Sequence, residues 1–134
     1  MKKVLFLCIG NSCRSQMAEG FANHYGGDLV EARSAGTNPA SAVSSKAVQV
    51  MKEKGIDIAH QYPKPLDPEL IKEMDYLISM GCGVNESCPT PALKALVKNF
   101  IDWNIEDPIG QPIETYRRVR DEIEKKVLDL LEEL

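Results

Sequence analysis

Short apolar runs and helical stripes alternate along this chain. Lys3-Val-Leu-Phe-Leu7, ending at Cys8, predicts a short buried strand. A polar loop, Gly10–Ser15, leads into a helical segment from about Ser15 to Tyr25, with Ser15 at the N-cap and Gly26-Gly27 as the stop. Leu29–Ser34 predicts a second strand, closed by Gly36 and the turn Asn38-Pro39. Val43, Ala47, Val48, Val50 and Met51 then recur with helical spacing over about Ser41–Lys54, and Gly55 ends the pattern. Ile56–Leu66 is irregular, broken by Pro63 and Pro65. Asp67-Pro68 marks an N-cap with proline at the first helical position, opening a helix to about Met74. Tyr76–Met80 predicts a third strand, the Gly/Asn/Ser/Pro-rich stretch Gly81–Pro91 a loop, and the residues up to Val97 a short helix. Asn99–Trp103 predicts a fourth strand. Beyond the turn at Asp107-Pro108-Ile109-Gly110, the residues Ile113, Val119, Ile123, Val127, Leu130, Leu131 and Leu134 form the stripe of a terminal helix packed on the core. Strand and helix alternate throughout, which implies a parallel sheet with helices on both faces, joined by right-handed crossovers. Ligands of such α/β sheets bind beyond the carboxyl ends of the strands, the edge to which Cys8, Cys82 and Asp107 are expected to come.

The length of 134 residues fits a single domain, residues 1–134, able to bury a core without staples. A net charge of −4 argues against nucleic acid and against an anionic membrane surface as partners, so any bound anion must be held by a local device. The run after Met1-Lys2-Lys3 is too short for a signal core, and no stretch is long enough to cross a bilayer, which points to a cytoplasmic protein. In that reducing compartment the four cysteines Cys8, Cys13, Cys82 and Cys88 are not expected to be structural disulfides. Catalysis, redox cycling and metal binding must be weighed for them instead. Metal binding is the weakest of these, because neither His24 nor His60 has ligand spacing.

The loop Cys8-Ile-Gly-Asn-Ser-Cys-Arg14-Ser15 places a thiol at the end of a strand and an arginine and a serine at the mouth of a helix. Gly10 allows a tight turn and close approach to a ligand. Successive N–H groups over Ile9, Gly10, Asn11, Ser12, Cys13 and Arg14 can converge into an anion cradle, to which the helix start adds positive potential. Arg14 offers a planar fork for two oxygens of a tetrahedral oxyanion. The same field favours the nucleophilic thiolate of Cys8, and Ser15 can donate its hydroxyl proton to that sulfur. The plainer alternative, a packed core thiol beside a solvated arginine, suits a lone cysteine better than this set of fixed offsets.

These residues resemble the signature of the low-molecular-weight protein tyrosine phosphatase superfamily, with Cys-x5-Arg-Ser directly after the first strand. Gly10-Asn-Ser-Cys-Arg-Ser-Gln-Met-Ala-Glu-Gly20 resembles more narrowly the thioredoxin-coupled arsenate reductases built on that fold. Asp107-Pro108 is similar to the superfamily's late Asp-Pro, and Ser34-Ala-Gly36-Thr37 to its second-strand segment. The resemblance covers nearly the whole chain and implies a doubly wound, four-stranded parallel sheet in a three-layer α/β/α sandwich. It also implies Asp107 as general acid, where the plain reading is a turn aspartate.

For a reductase, the resemblance implies a relay. Cys8 attacks arsenate, Cys82 attacks Cys8 with release of arsenite, and Cys88 moves the disulfide to Cys82–Cys88, where external thioredoxin reduces it. Five residues separate Cys82 from Cys88, one fewer than the best-known members carry. Incidental loop thiols remain the alternative for this pair. Cys13 reads as a packing residue at the helix start. Asn11 is expected to hold the loop through its amide. Glu19, Ser34 and Asp67 read as surface polar residues, although some relatives have a cation site there; no bound metal or cofactor is expected. A phosphatase acting on aryl phosphates needs aromatic residues at the pocket rim. None lies between Gly36 and Val50, and Gly110–Arg117 offers only Tyr116. The expectation is therefore a monomeric arsenate reductase. Phosphomonoester hydrolysis through a Cys8 phosphocysteine and a non-catalytic oxyanion sensor are the alternatives.

Overall fold

The computed structural model describes residues 1–81 and 94–134. Strand β1 (Lys2–Cys8) leads to helix α1 (Arg14–Gly26), a single 3₁₀ turn (Gly27–Leu29), β2 (Val30–Gly36), α2 (Ser45–Lys52), α3 (Pro68–Lys72), β3 (Tyr76–Ser79), β4 (Asn99–Asp102) and α4 (Ile113–Glu133). All strand pairings are parallel, in the order β2-β1-β3-β4. From β1 the chain moves outward to β2, then crosses back over β1 to β3. The switch point therefore falls between β1 and β3, at whose carboxyl end Cys8 sits.

β1 is central, and Val4, Leu5, Phe6 and Leu7 are all fully buried, which explains a continuous apolar run in place of alternation. Its side chains nonetheless divide by face. Val4, Phe6 and Cys8 join the core shared with Met17 and Phe21 of α1, Val50 and Met51 of α2, and Val119, Ile123 and Val127 of α4. Leu5 and Leu7 join a smaller core with Ile71 of α3, Met74 and Leu77. These two cores on opposite sides of one sheet make the three-layer sandwich that the resemblance implies.

Several boundaries differ from the expected ones, those of β2 and α2 for a nonlocal reason. β2 runs on from Ser34 to Gly36 because it pairs with the whole of β1, from Lys2–Val30 to Cys8–Gly36. A Cβ at Gly36 would lie 2.6 Å from the Ile9 carbonyl oxygen, so only glycine lets β2 and the loop after β1 come this close. Gly36→Ala is expected to destabilise the fold by about 1–3 kcal/mol and to weaken phosphate binding, measured by thermal denaturation and by titration with phosphate.

The helix expected from Ser41 starts only at Ser45. The preceding segment donates its N–H groups to carbonyls of the Cys8 loop: Thr37 to Cys8 (3.3 Å), Asn38 to Ile9 (2.8 Å), Ala40 to Gly10 (2.9 Å) and Ser44 to Ser12 (2.7 Å). Helix α1 starts at Arg14, with Cys13 rather than Ser15 at the N-cap position. Asp67 caps α3 as expected, accepting from the Glu69 N–H at 3.0 Å, although the helix ends at Lys72. The expected loop after Gly81 and most of the helix leading to Val97, with Cys82 and Cys88, lie outside the described residues. Among the described residues no helix is long and apolar enough to cross a membrane.

Glu53, just past α2, ties that helix to α4. Its carboxylate accepts from Arg117 Nη2 at 2.8 Å and from Arg120 Nη1 at 2.6 Å. Hydrogen bonds from Arg117 first, then Arg120, lower the Glu53 pKa from the usual 4.5 to about 2. A carboxylate lowered on folding contributes stability that is present above its unfolded pKa and is lost as pH falls through the folded one. That contribution is therefore expected to vanish between about pH 4.5 and 2. Denaturant midpoints measured across this window should fall less steeply in Glu53→Gln than in the native protein.

Candidate active site

The loop between β1 and α1 folds around the Cys8 sulfur, which is almost wholly buried. Sγ lies 2.9 Å from Ser15 Oγ, and the Asn11 backbone N–H donates to it at 3.2 Å. Asn11 takes a left-handed conformation, φ 49°, so the sharp turn in the loop belongs to Asn11 and not to Gly10. Asn11 is fully buried, and its side-chain Nδ2 donates to Ser15 Oγ at 2.7 Å. Ser15 thus meets the sulfur from the first turn of α1 and not from the cap position.

The four loop carbonyls held by the segment 37–44 set the polarity of the cradle. In a planar trans peptide the N–H points opposite to the preceding C=O. With the Cys8, Ile9, Gly10 and Ser12 carbonyls turned outward, the N–H groups of Ile9, Gly10, Asn11 and Cys13 are directed inward. Those of Ile9, Gly10 and Cys13 face a cavity of about 260 Å³ lined by Cys8, Ile9, Gly10, Ser12, Cys13, Arg14, Asp107 and Ile109, and that of Asn11 meets the Cys8 sulfur. Inward N–H groups at the start of a helix form an anion site.

Arg14 closes the far wall. Its Nη1 donates to the Met80 carbonyl at 3.0 Å and to the Ile105 carbonyl at 2.8 Å, so the guanidinium is pinned between the ends of β3 and β4. Its Nη2 stands 3.9 Å from Asp107 Oδ2. The Asp107 carboxylate is otherwise exposed; its Oδ1 accepts from the Ile109 N–H at 3.0 Å, an Asx turn that aims Oδ2 toward the cavity side. Of the expected site residues, Cys8, Ile9, Gly10, Ser12, Cys13, Arg14 and Asp107 therefore line one cavity, while Asn11 and Ser15 contact the Cys8 sulfur. Cys82 and Cys88 lie outside the described residues.

Cys13 is buried beneath the loop, and burial pushes its thiol far above the usual range, with the charges of Cys8 and Asp107 adding to the effect. Its thiol is therefore protonated at neutral pH and unfit as a nucleophile. Glu19 and Ser34 are not surface residues. Ser34 is buried and donates to Glu19 Oε1 at 2.7 Å, while the half-buried Lys64 ammonium lies 3.9 Å from the same oxygen. Asp67 belongs elsewhere, at the start of α3. Among the described residues there is no group of three or more His, Cys, Asp or Glu able to hold a metal ion.

The arrangement also uses groups that residue patterns did not single out. The Met80 and Ile105 carbonyls anchor Arg14, Ile109 lines the cavity, and Gln16 and Gln61 sit behind Asn11. Backbone carbonyls leave no mark in a sequence. Gln16, one of several polar residues of α1, is fully buried for contacts that no sequence pattern marks.

Comparison with known proteins places this geometry. A glutaredoxin arsenate reductase of Synechocystis sp. is 42% identical over 132 residues, which make up 98% of this chain and 97% of that protein. A solved arsenate reductase in the phosphate-binding state shares 40% identity at a TM-score of 0.88, covering 99% of this chain and 98% of the other. A thioredoxin-dependent arsenate reductase of Corynebacterium glutamicum shares 35% identity at a TM-score of 0.80, over 99% of this chain and 61% of the other. An arginine phosphatase of Geobacillus stearothermophilus shares 34% identity at a TM-score of 0.85, over 99% of this chain. Residues 3–134 match the family described as low molecular weight phosphotyrosine protein phosphatase, and the chain belongs to that family.

Proposed function

We propose that this protein reduces arsenate to arsenite. The observation that carries the reading is the shape of the Cys8 cavity: about 260 Å³, walled by loop N–H groups and Arg14, with no aromatic side chain among its described lining residues. Tyr116, the aromatic expected nearest the rim, is buried in the core beneath Lys46. A small inorganic oxyanion fits these walls, whereas an aryl ester would find no ring to stack on.

The Cys8 thiolate attacks arsenic, forming an S–As bond as one arsenate oxygen leaves, protonated by Asp107. Cys82 thiolate then attacks Cys8 Sγ. The S–As bonding pair stays on arsenic, which passes from the pentavalent to the trivalent state and leaves as arsenite. The two electrons come from the two thiolates, now joined as Cys8–Cys82. Cys88 attacks Cys82, freeing Cys8, and an external dithiol of the thioredoxin class reduces Cys82–Cys88. Support for Cys82 comes from chain connectivity, since it follows two residues after Met80, whose carbonyl holds Arg14. No resident cofactor is needed in this scheme. The protein acts as a monomer in the cytoplasm, where free thiols and dithiol reductants persist.

Incubation with arsenate, thioredoxin, thioredoxin reductase and NADPH tests the proposal through NADPH oxidation. Replacing thioredoxin by glutaredoxin and glutathione identifies the reductant. Cys82→Ser is expected to abolish turnover while leaving phosphate binding intact. A Cys82→Ser protein that still turns over arsenate would overturn the relay. The family relationship favours phosphomonoester hydrolysis as a second reading, since Cys8, Arg14 and Asp107 alone suffice for it. Cys82→Ser would leave such activity untouched, which separates the two.

A further inference from the structure

Gln16 is fully buried at the start of α1 yet does not line the Cys8 cavity. Its Nε2 donates to the Asn11 backbone oxygen at 2.9 Å, to Asn11 Oδ1 at 3.1 Å and to the Tyr62 carbonyl at 3.0 Å. Its Oε1 accepts from Gln61 Nε2 at 2.6 Å, and the same Gln61 nitrogen donates to the Gln16 carbonyl at 3.1 Å. Every polar atom of the Gln16 amide is engaged, and its orientation is fixed from both ends.

That orientation, together with the Lys64 backbone N–H, sets the direction of each hydrogen bond between it and the nucleophile. Asn11 Oδ1 receives Gln16 Nε2 and also the Lys64 backbone N–H at 2.9 Å. A backbone N–H can only donate, so this end of the Asn11 side chain must be the oxygen. Nδ2 is thereby turned to Ser15 Oγ, and donates to it at 2.7 Å. With Oγ accepting from Asn11, the acceptor left for the Ser15 hydroxyl proton is the Cys8 sulfur at 2.9 Å. A hydroxyl pointed at sulfur stabilises the thiolate over the thiol. Gln16 also holds the Asn11 backbone oxygen, and with it the left-handed turn that directs the Asn11 N–H at the same sulfur.

We propose that Gln16, anchored by Gln61, is a positioning residue that holds Asn11 so that the Ser15 hydroxyl and the Asn11 N–H both donate to the Cys8 thiolate. The proposal rests on Cys8 as the nucleophile, which the reductase and phosphatase readings share, and not on arsenate as substrate.

The test is the rate of Cys8 alkylation by iodoacetamide as a function of pH, read by mass spectrometry of the Cys8 peptide, in Gln16→Met and Gln61→Met. At neutral pH, alkylation of Gln16→Met is expected to slow about tenfold, the effect of losing an oriented hydrogen bond to the charged sulfur. Gln61→Met should slow less, and both should return to the native rate in strongly alkaline solution. A merely structural role gives the opposite signature, because a loosened loop exposes the sulfur and speeds alkylation at every pH. A native profile, or a uniformly faster one, in folded Gln16→Met overturns the proposal. Should Gln16→Met fail to fold, the same outcome in Gln61→Met overturns it. No arsenate enters this assay, so its failure is distinguishable from failure of the reductase reading.

Discussion

Cys8→Ser is expected to abolish arsenate-dependent NADPH oxidation, with a loss of at least about 10⁴ in kcat. The serine hydroxyl is the smaller change in volume and the larger change in chemistry. It would occupy the place between the Asn11 N–H and Ser15 Oγ, but the donors that favour a thiolate cannot hold an alkoxide at neutral pH. It also cannot form the disulfide on which arsenite release depends. Phosphate binding should survive, because the inward N–H groups and Arg14 remain. Calorimetric titration with phosphate beside the turnover assay checks both halves. Residual turnover near the native rate would mean that another thiol attacks arsenate.

Arg14→Lys should be nearly as damaging despite keeping the charge. The guanidinium uses Nη1 to bridge the Met80 and Ile105 carbonyls, and presents Nη2 beside Asp107 at the cavity. An ammonium is a single point that cannot span two strand ends and still face an oxyanion. A fall of about 10²–10³ in kcat/KM is expected, the cost of losing an oriented transition-state donor. The two carbonyls lose their partner as well, so stability should drop by about 1–3 kcal/mol, measured by denaturant unfolding. A lysine variant with most of its activity would show that charge alone, and not the fork, serves the site.

The strand–helix order was legible in the sequence because it rests on local signals. Val4–Leu7, Leu77–Ile78 and the stripe Val119–Ile123–Val127 are buried as their patterns require. Asp67-Pro68 and Gly26-Gly27 punctuate helices by the chemistry of the cap itself. The errors fall where a distant partner overrides the local pattern. Val43 and Ala47 have helical spacing, yet the helix waits for Ser45 because the N–H groups before it serve the Cys8 loop. Arg120, beside the stripe of α4, is a charged residue that the apolar pattern leaves out, yet it is buried, donating to the Val50 carbonyl at 3.0 Å and to Glu53. The site was legible as far as Cys8, Arg14 and Asp107, which stand at motif positions and meet at one cavity. Gln16 and Gln61 were not, since their contact spans 45 positions of chain and neither belongs to the chemistry of an oxyanion.

The segment 37–44 holds the Cys8 loop by backbone hydrogen bonds, N–H to carbonyl, at Thr37, Asn38, Ala40 and Ser44. These bonds place no demand on side-chain identity, and Pro39, Ser41 and Ala42 make none of them, although Val43 packs against the main core. Its length is not free. One residue more or fewer would shift each donor past its carbonyl and let the loop's peptides turn over. Insertions and deletions should be tolerated instead at sites such as Gly55 and Gly110, where nothing crowds the chain. Variation among relatives should follow the same rule: substitution is open at the exposed positions 38–42, but the residue count of the segment is closed.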